Sequence, residues 1–225
     1  MELTKSYDAV ISAAIRGRYE LRETRNAASI LVATNPQSFA EVLDVLGTFE
    51  LEATDITVPG GNKSRLALRL DNEFRIRGWR EGKHDLTVRS VLRIMPYEPA
   101  GERVARLIET EVFSEGYKVD NVKGRVALDV EWHAKDGNLD RDVAAYRALY
   151  DAGIIDGGIM ITRSFEPIRS LAVRLGRPRG FATATTTTLE KLEPRLSRGD
   201  GGGCPILAFA ITDRSYSGVE PPYAG

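Results

Sequence analysis

Apolar and polar residues alternate strictly over 126–133. Val126, Leu128, Val130 and Trp132 fall on one side, and Ala127, Asp129, Glu131 and His133 on the other. A period of two predicts a strand. Lys123-Gly124 just before it is a turn signal, so the segment around Val119 and Asp120 is expected to pair back as a hairpin. Elsewhere the period is helical. Phe39, Val42, Leu43 and Leu46 behind Asn35-Pro36 predict a helix stopped by Gly47. Ser64 opens a second helix through about Arg77, with Gly78 past its end. Leu189, Leu192 and Leu196 mark a third. Ala9, Val10, Ala13, Ala14 and Leu21 give a helical stripe over 4–23. Pro99 opens a helix to about Phe113, and 143–150 continue as a helix that Gly153 stops. Strands are predicted at 28–33, 86–95, 154–162 and 205–211. Residues 48–58 read as extended and 164–181 as irregular.

Strand, helix and strand in succession after residue 126 suggest a crossover within a mixed sheet, hence an α/β fold. The length of 225 residues suits one domain, with 1–25 as a helical extension and 215–225 as a loose tail. Nothing approaches the apolar length that spans a bilayer, and the first residues lack a signal-peptide pattern. The single cysteine, Cys204, excludes an internal disulfide and suits a reducing cytoplasm; it reads as a small buried residue leading into a strand.

Net charge is −1, which argues against a bulk nucleic-acid coater. The charge is uneven, however: residues 163–198 carry eight basic side chains against three acidic ones. Such a stretch suits a protein that binds and releases a polyanion, and equally a solvated surface.

The candidate chemistry lies in the hairpin. Asp129 and Glu131 project from one side of the strand, roughly 7 Å apart. If the hairpin closes, Asp120 comes close to Asp129. For an isolated Asp-x-Glu, the ordinary reading is the wet face of a half-solvated strand. Three converging carboxylates point instead to a held cation, for which Mg2+ with its preference for oxygen is suited. His133 shares their side and could touch nucleic acid or a bound water. The polar loop after it, with Lys135, Asn138 and Arg141, runs into a helix that Asp140 or Asp142 can cap. Arg177 and Arg179 sit in a Gly/Pro loop. Thr185, Thr186, Thr187 and Thr188 precede the last helix and can either bind base edges or phosphates, or cap that helix. No zinc spacing or serine-hydrolase signature occurs.

Asp120 followed by Asp129-Val130-Glu131 resembles the hairpin of the restriction-endonuclease-like nucleases. The run Val122-Lys-Gly-Arg-Val-Ala-Leu-Asp-Val-Glu131 is similar to the BglII/BstYI family of type II restriction endonucleases. So are Glu73-Phe-Arg-Ile-Arg-Gly-Trp-Arg-Glu81, Ile155-Asp-Gly-Gly-Ile-Met-Ile161 and Gly203-Cys-Pro-Ile-Leu-Ala-Phe-Ala-Ile211, in order from about Asn26 onwards. The resemblance implies a restriction-endonuclease-like core with a mixed sheet flanked by helices. It implies Mg2+-dependent cutting of double-stranded DNA at a short palindrome by a homodimer, with a cognate methyltransferase in the same system. Asp120, Asp129 and the Val130 carbonyl would hold the metal. Glu131 stands where many relatives carry Lys and the nearest carry Gln. It would accept a proton or hold a second metal. Glu109 is the nearest match for an acidic residue that reaches the site from the preceding helix, with Glu102 and Glu111 as alternatives. Loops near 135–141 and 177–188 would read bases. The same fold also serves structure-specific repair nucleases, and a silent DNA-binding module is a further reading.

Overall fold

The computed structural model describes residues 2–58, 63–177, 179–181 and 186–218. In chain order the elements are α1 (Tyr7–Val10), α2 (Ala13–Arg18), β1 (Tyr19–Glu23), α3 (Ala27–Thr34), α4 (Pro36–Thr48), α5 (Ala53–Thr57) and α6 (Arg65–Ile76). They continue with β2 (Arg80–Ile94), β3 (Arg106–Lys123), β4 (Val126–Val130), α7 (Gly137–Asp151), β5 (Gly157–Arg163), α8 (Phe165–Arg174), α9 (Leu189–Arg198) and β6 (Ile206–Ile211). The strands form one sheet in the order β1-β6-β5-β4-β3-β2. The β4–β5 and β5–β6 pairs are parallel, and β1–β6 and β3–β4 are antiparallel. The chain divides into two compact units, Met1–Gly82 with Val119–Gly225, and Lys83–Lys118.

The expected crossover is present: α7 connects the parallel neighbours β4 and β5. These central strands are buried on both faces, as parallel strands under helices are. One face, with Val126, Leu128, Ile159 and Phe209, joins the large core built on α2, α3, α4, α6 and α8. The other face is covered by α7 and α9, through Val143, Tyr146, Leu192 and Leu196. Gly158 makes that second layer possible. A Cβ there would lie 2.4 Å from the Tyr146 ring, whose hydroxyl donates to the Ile159 carbonyl at 2.7 Å. Gly158→Ala should therefore cost roughly 1–3 kcal/mol of stability by overpacking, read as a lower midpoint in urea unfolding.

Helices were expected and found over α4, α6 and α9. Ser64 Oγ accepts from the Ala67 amide at 3.1 Å, as its position predicts. The helix expected over 4–23 is instead two short helices followed by β1, an edge strand of the sheet. Tyr19, Leu21 and Glu23 alternate inward there, so a period of two overrides the stripe. Residues 28–33 form α3 rather than a strand; a short buried apolar run fits either form. Residues 48–58 contain α5, closed by a capping box of Glu52 and Asp55. Residues 164–181 contain α8. Of the tail expected from 215, Ser215 is buried and accepts from the Leu51 amide at 2.8 Å; residues 219–225 lie outside the described residues.

Residues 99–113 depart furthest from expectation. A single 3-10 turn, Glu98–Ala100, is followed by β3, so the helix meant to carry Glu109 does not form. Arg106 onwards is rich in Ile, Thr, Val and Phe, the residues that favour a pleated strand.

Candidate active site

The hairpin closes with Asn121 opposite Leu128 and Lys123 opposite Val126. Its two loop residues are Gly124 and Arg125, and Gly124 takes a positive φ of 57°. A two-residue hairpin needs that conformation, which glycine adopts without strain. The register places Asp120 against Asp129, and the Asp120 amide donates to Asp129 Oδ1 at 2.8 Å. The other oxygen, Asp129 Oδ2, is buried without a hydrogen-bond partner.

The carboxylate side of β4 is not wet. Because α7 covers it, Asp129 is 3% exposed and Glu131 6%. α7 also brings in a third acid that sequence reasoning assigned elsewhere. Asp142 does not cap the helix, which starts at Gly137, but sits one turn inside it with its side chain buried. Arg141 donates to Asp142 Oδ1 from Nε at 3.1 Å and Nη2 at 3.0 Å, leaving Asp142 Oδ2 without a partner. Burial pushes the Asp129 carboxyl up to about 8, assisted by the charge of Asp142. Burial raises Asp142 as well, with Glu131 adding to it. Glu131 is raised by burial and by the charge of Asp129. The three acids cannot all ionise at neutral pH, so the cluster retains at least one proton.

Glu131 faces a cleft of about 580 Å³, together with Asp120, Val130, His133 and Arg177. The Asn138 amide lies 3.5 and 3.4 Å from its two oxygens, and Arg141 lies 4.0 Å away. On the opposite lip Lys63 reaches Asp120 Oδ2 at 3.1 Å and pairs with buried Asp71, which also accepts from Asn121 Nδ2 at 2.9 Å. Sequence reasoning missed Lys63, Asp71, Asn121 and Asp142. Asp71 lies on the buried side of an amphipathic helix, and an acid at a core position was the available signal.

Glu109 lies on β3, in the Lys83–Lys118 unit, and pairs with Arg89 at 2.6 Å. Glu109 is therefore on a strand and not on the expected helix; within the Met1–Gly82 and Val119–Gly225 unit the acids beside Asp120 and Asp129 are Asp71 and Asp142. His133 stacks on Phe181 at 4.8 Å between centroids, and burial and Arg163 hold its pKa down. Lys135 is exposed and bridges to Thr186. Thr187 and Thr188 are buried, which corrects their reading as a DNA surface: Thr187 Oγ1 donates to the Glu131 carbonyl at 3.0 Å, beside Thr162 at 2.9 Å. Both threonines sit inside the second layer, and Thr187 fixes the backbone just past β4. Thr186 Oγ1 accepts from Arg163 at 2.8 Å, and Thr185 lies outside the described residues.

The basic stretch is mostly compensated. Arg163 is buried under Phe181 with its pKa lowered to about 10 by burial. Arg169, Lys191, Arg195 and Arg198 pair with Glu166, Asp136, Asp140 and Asp200. Arg177 lines the cleft, and Arg179 is exposed.

A mixed sheet with helices on both faces, and a carboxylate-bearing hairpin at its centre, define an α/β protein of the restriction-endonuclease-like type. Residues 19–211 match the family model for restriction endonuclease BglII/BglIII, and the chain belongs to that family. It is a type II site-specific deoxyribonuclease. The match begins at β1, so this edge strand belongs to the family core. No curated protein matches the chain. Among the described residues no helix is long and apolar enough to cross a membrane.

Proposed function

We propose that the enzyme hydrolyses double-stranded DNA at a short palindrome with Mg2+, acting as a homodimer, and that the hairpin and cleft are its active site. The observation that carries this reading is the unpaired, buried Asp129 Oδ2 beside Asp120 and the cleft-facing Glu131. Among the described residues no three His, Cys, Asp or Glu side chains form a ready-made cage. Mg2+ does not require one, because it takes one or two carboxylates and completes its shell with water and phosphate oxygens. An orphaned carboxylate oxygen is the donor such an ion satisfies. Asp120, Asp129, the Val130 carbonyl and Glu131 would hold the metal. A bound metal supplies charge stabilisation to the phosphate and acidifies water.

The chain's own groups do the rest. Glu131 accepts a proton from the attacking water, and Asn138 and Arg141 orient its carboxylate. Lys63 balances Asp120 while no metal is bound. His133, Lys135, Asn138, Arg141, Arg177 and Arg179 edge the cleft and its approaches as DNA contacts, with phosphates held by the cations and bases read by the polar groups. A palindrome calls for a two-fold symmetric protein. Cutting at a fixed site in the cytoplasm calls for a methyltransferase of the same specificity to protect the host's DNA.

The test is digestion of plasmid and phage DNA with Mg2+ by wild type and Asp120→Ala, plus binding in Ca2+. Sharp bands from wild type, none from the variant and retained binding are expected. Undiminished cleavage by Asp120→Ala would remove the hairpin from the mechanism; cutting confined to junctions or flaps would replace the palindrome with a structural target.

A further inference from the structure

Lys63 stands immediately before α6, whose first turn Ser64 caps. Its ammonium lies between two carboxylates of very different exposure. Asp71, on the buried side of α6, is 1% exposed, whereas the Asp120 side chain is 34% exposed and lines the cleft. Lys63 pairs with Asp71 Oδ2 and lies 3.1 Å from Asp120 Oδ2. Asn121 Nδ2 donates to the other Asp71 oxygen at 2.9 Å and fixes that carboxylate in place. The two pairs therefore differ in permanence. A buried carboxylate stripped of its cation is costly, so Asp71 keeps Lys63. Asp120 faces the cleft and can exchange Lys63 for water or another cation.

The geometry points to Lys63 as a catalytic cation: tethered on Asp71, it leaves Asp120 and places its ammonium on a non-bridging oxygen of the phosphodiester being cut. The inference rests on the reading of the cleft as the active site and adds a residue to that site. Asp120 Oδ2 cannot hold Lys63 and a divalent cation closely at once, because the two positive charges repel. Once Lys63 has left Asp120, its ammonium has one N–H committed to Asp71 and two free. Lys63, Asp120 and Glu131 line the same cleft, so those donors are within the space a phosphate enters. A phosphodiester there enters the field of five acids, Asp71, Asp120, Asp129, Glu131 and Asp142. Its oxygens carry the charge of the transition state, and a cation placed beforehand acts on that charge without reorganisation. Arg141 does not serve this lip, being committed to Asp142 at 3.0 Å and facing Glu131 at 4.0 Å. A lysine suits the exchange: its ammonium is a point charge on a flexible stem and moves between oxygens with no fork geometry to satisfy.

The test compares wild type, Asp120→Ala, Lys63→Gln and Lys63→Arg. The glutamine amide can still donate to Asp71 but carries no charge; the arginine keeps the charge. Two quantities are read on the full chain: single-turnover cleavage of plasmid with Mg2+, and Ca2+ binding without DNA by titration calorimetry. Circular dichroism checks that the variants are folded. Lys63→Gln should cleave about a hundredfold more slowly, the usual cost of removing one charge-stabilising donor. It should bind Ca2+ about tenfold more tightly, because a competing positive charge has gone from Asp120. Lys63→Arg should regain about tenfold of the lost rate, since the guanidinium supplies charge without the ammonium's freedom to exchange partners. The opposite signs matter: a lysine that merely supported Asp120 would weaken both cleavage and Ca2+ binding on removal. Undiminished cleavage by Lys63→Gln, or a loss of cleavage without tighter Ca2+ binding, would overturn the inference. The reading of the cleft would then still stand if Asp120→Ala is inactive. Cleavage retained in Asp120→Ala would overturn both.

Discussion

Asp129→Asn should give a protein that binds its DNA, melts at a higher temperature than wild type and does not cut. The two gains and the loss come from one atom. Asn keeps the Oδ1 acceptor that holds the Asp120 amide, so the hairpin register survives. Its new amide replaces the buried Oδ2, which has no hydrogen-bond partner, near Asp142, whose Oδ2 also has none. Filling two vacant hydrogen-bonding positions and removing a buried charge is worth about 1–2 kcal/mol, or roughly 2–8 °C in melting temperature for a domain of this size. The gain should be largest above pH 8, where the wild-type carboxyl has lost its proton. Cleavage should fall about a thousandfold or more, because several kcal/mol of metal-derived stabilisation depends on that oxygen and each 1.36 kcal/mol is tenfold in rate. Scanning calorimetry and a plasmid assay on the same preparation check both halves. A variant less stable than wild type would mean that the carboxylate is satisfied in the metal-free protein, contrary to its geometry. Stability given up for a reactive arrangement is a common bargain at enzyme sites.

The hairpin was legible because its information is local. Strict alternation, a Gly124 turn and two acids two residues apart fix the strand, the register and the facing pair Asp120 and Asp129. What could not be read was the layer above it. The deep burial of Asp129 and Glu131 was not legible, because alternation separates polar from apolar without saying which side a helix will cover. That depends on Gly158, thirty residues away, leaving room for Tyr146. Asp142 was assigned as a cap for a related reason. Its helix was taken to begin at 143, whereas it begins at Gly137 and carries Asp142 inward. Thr187 looked like a DNA contact until the fold placed it beneath the Glu131 carbonyl. The helix expected over 99–113 failed for a different reason: Val104, Leu107, Ile108 and Glu111 fit a helical spacing, but the segment is rich in residues that prefer strands. The family resemblance gave the class of enzyme correctly, while the helix expected to carry an acid before the hairpin does not form over 99–113. α6, which does form, carries the buried acid Asp71 beside Asn121 and Lys63.

Metal should stabilise the enzyme more as pH rises, and the metal-free protein should lose stability over the same range. Asp129, Asp142 and Glu131 all have folded-state pKa values raised above their ordinary ones by burial. Their neighbours explain why the protons are held: Arg141 is the cation nearest the trio, it is shared by Asp142 and Glu131, and Tyr146 and Asn138 bring no charge. A carboxyl raised on folding binds its proton more tightly in the native state than in the unfolded chain. Its contribution to stability is fully present below the unfolded pKa, near 4, and is lost as pH climbs through the folded value, near 8 for Asp129. The metal-free melting temperature should therefore decline between about pH 5 and pH 8.5 from this cluster. A divalent ion needs the deprotonated carboxylates and displaces the protons as it binds, so its affinity rises with pH. Ca2+ isolates binding from cleavage. Its melting-temperature increment should be small at pH 5.5, should grow through neutrality and should level off above about pH 8.5, where the trio is ionised. In Asp129→Asn the increment should shrink at every pH. An increment of equal size at pH 5.5 and pH 8.5 in wild type would place the bound cation away from these acids. A pH-dependent increment retained in full by Asp129→Asn would move it to Glu131 and Asp142 alone.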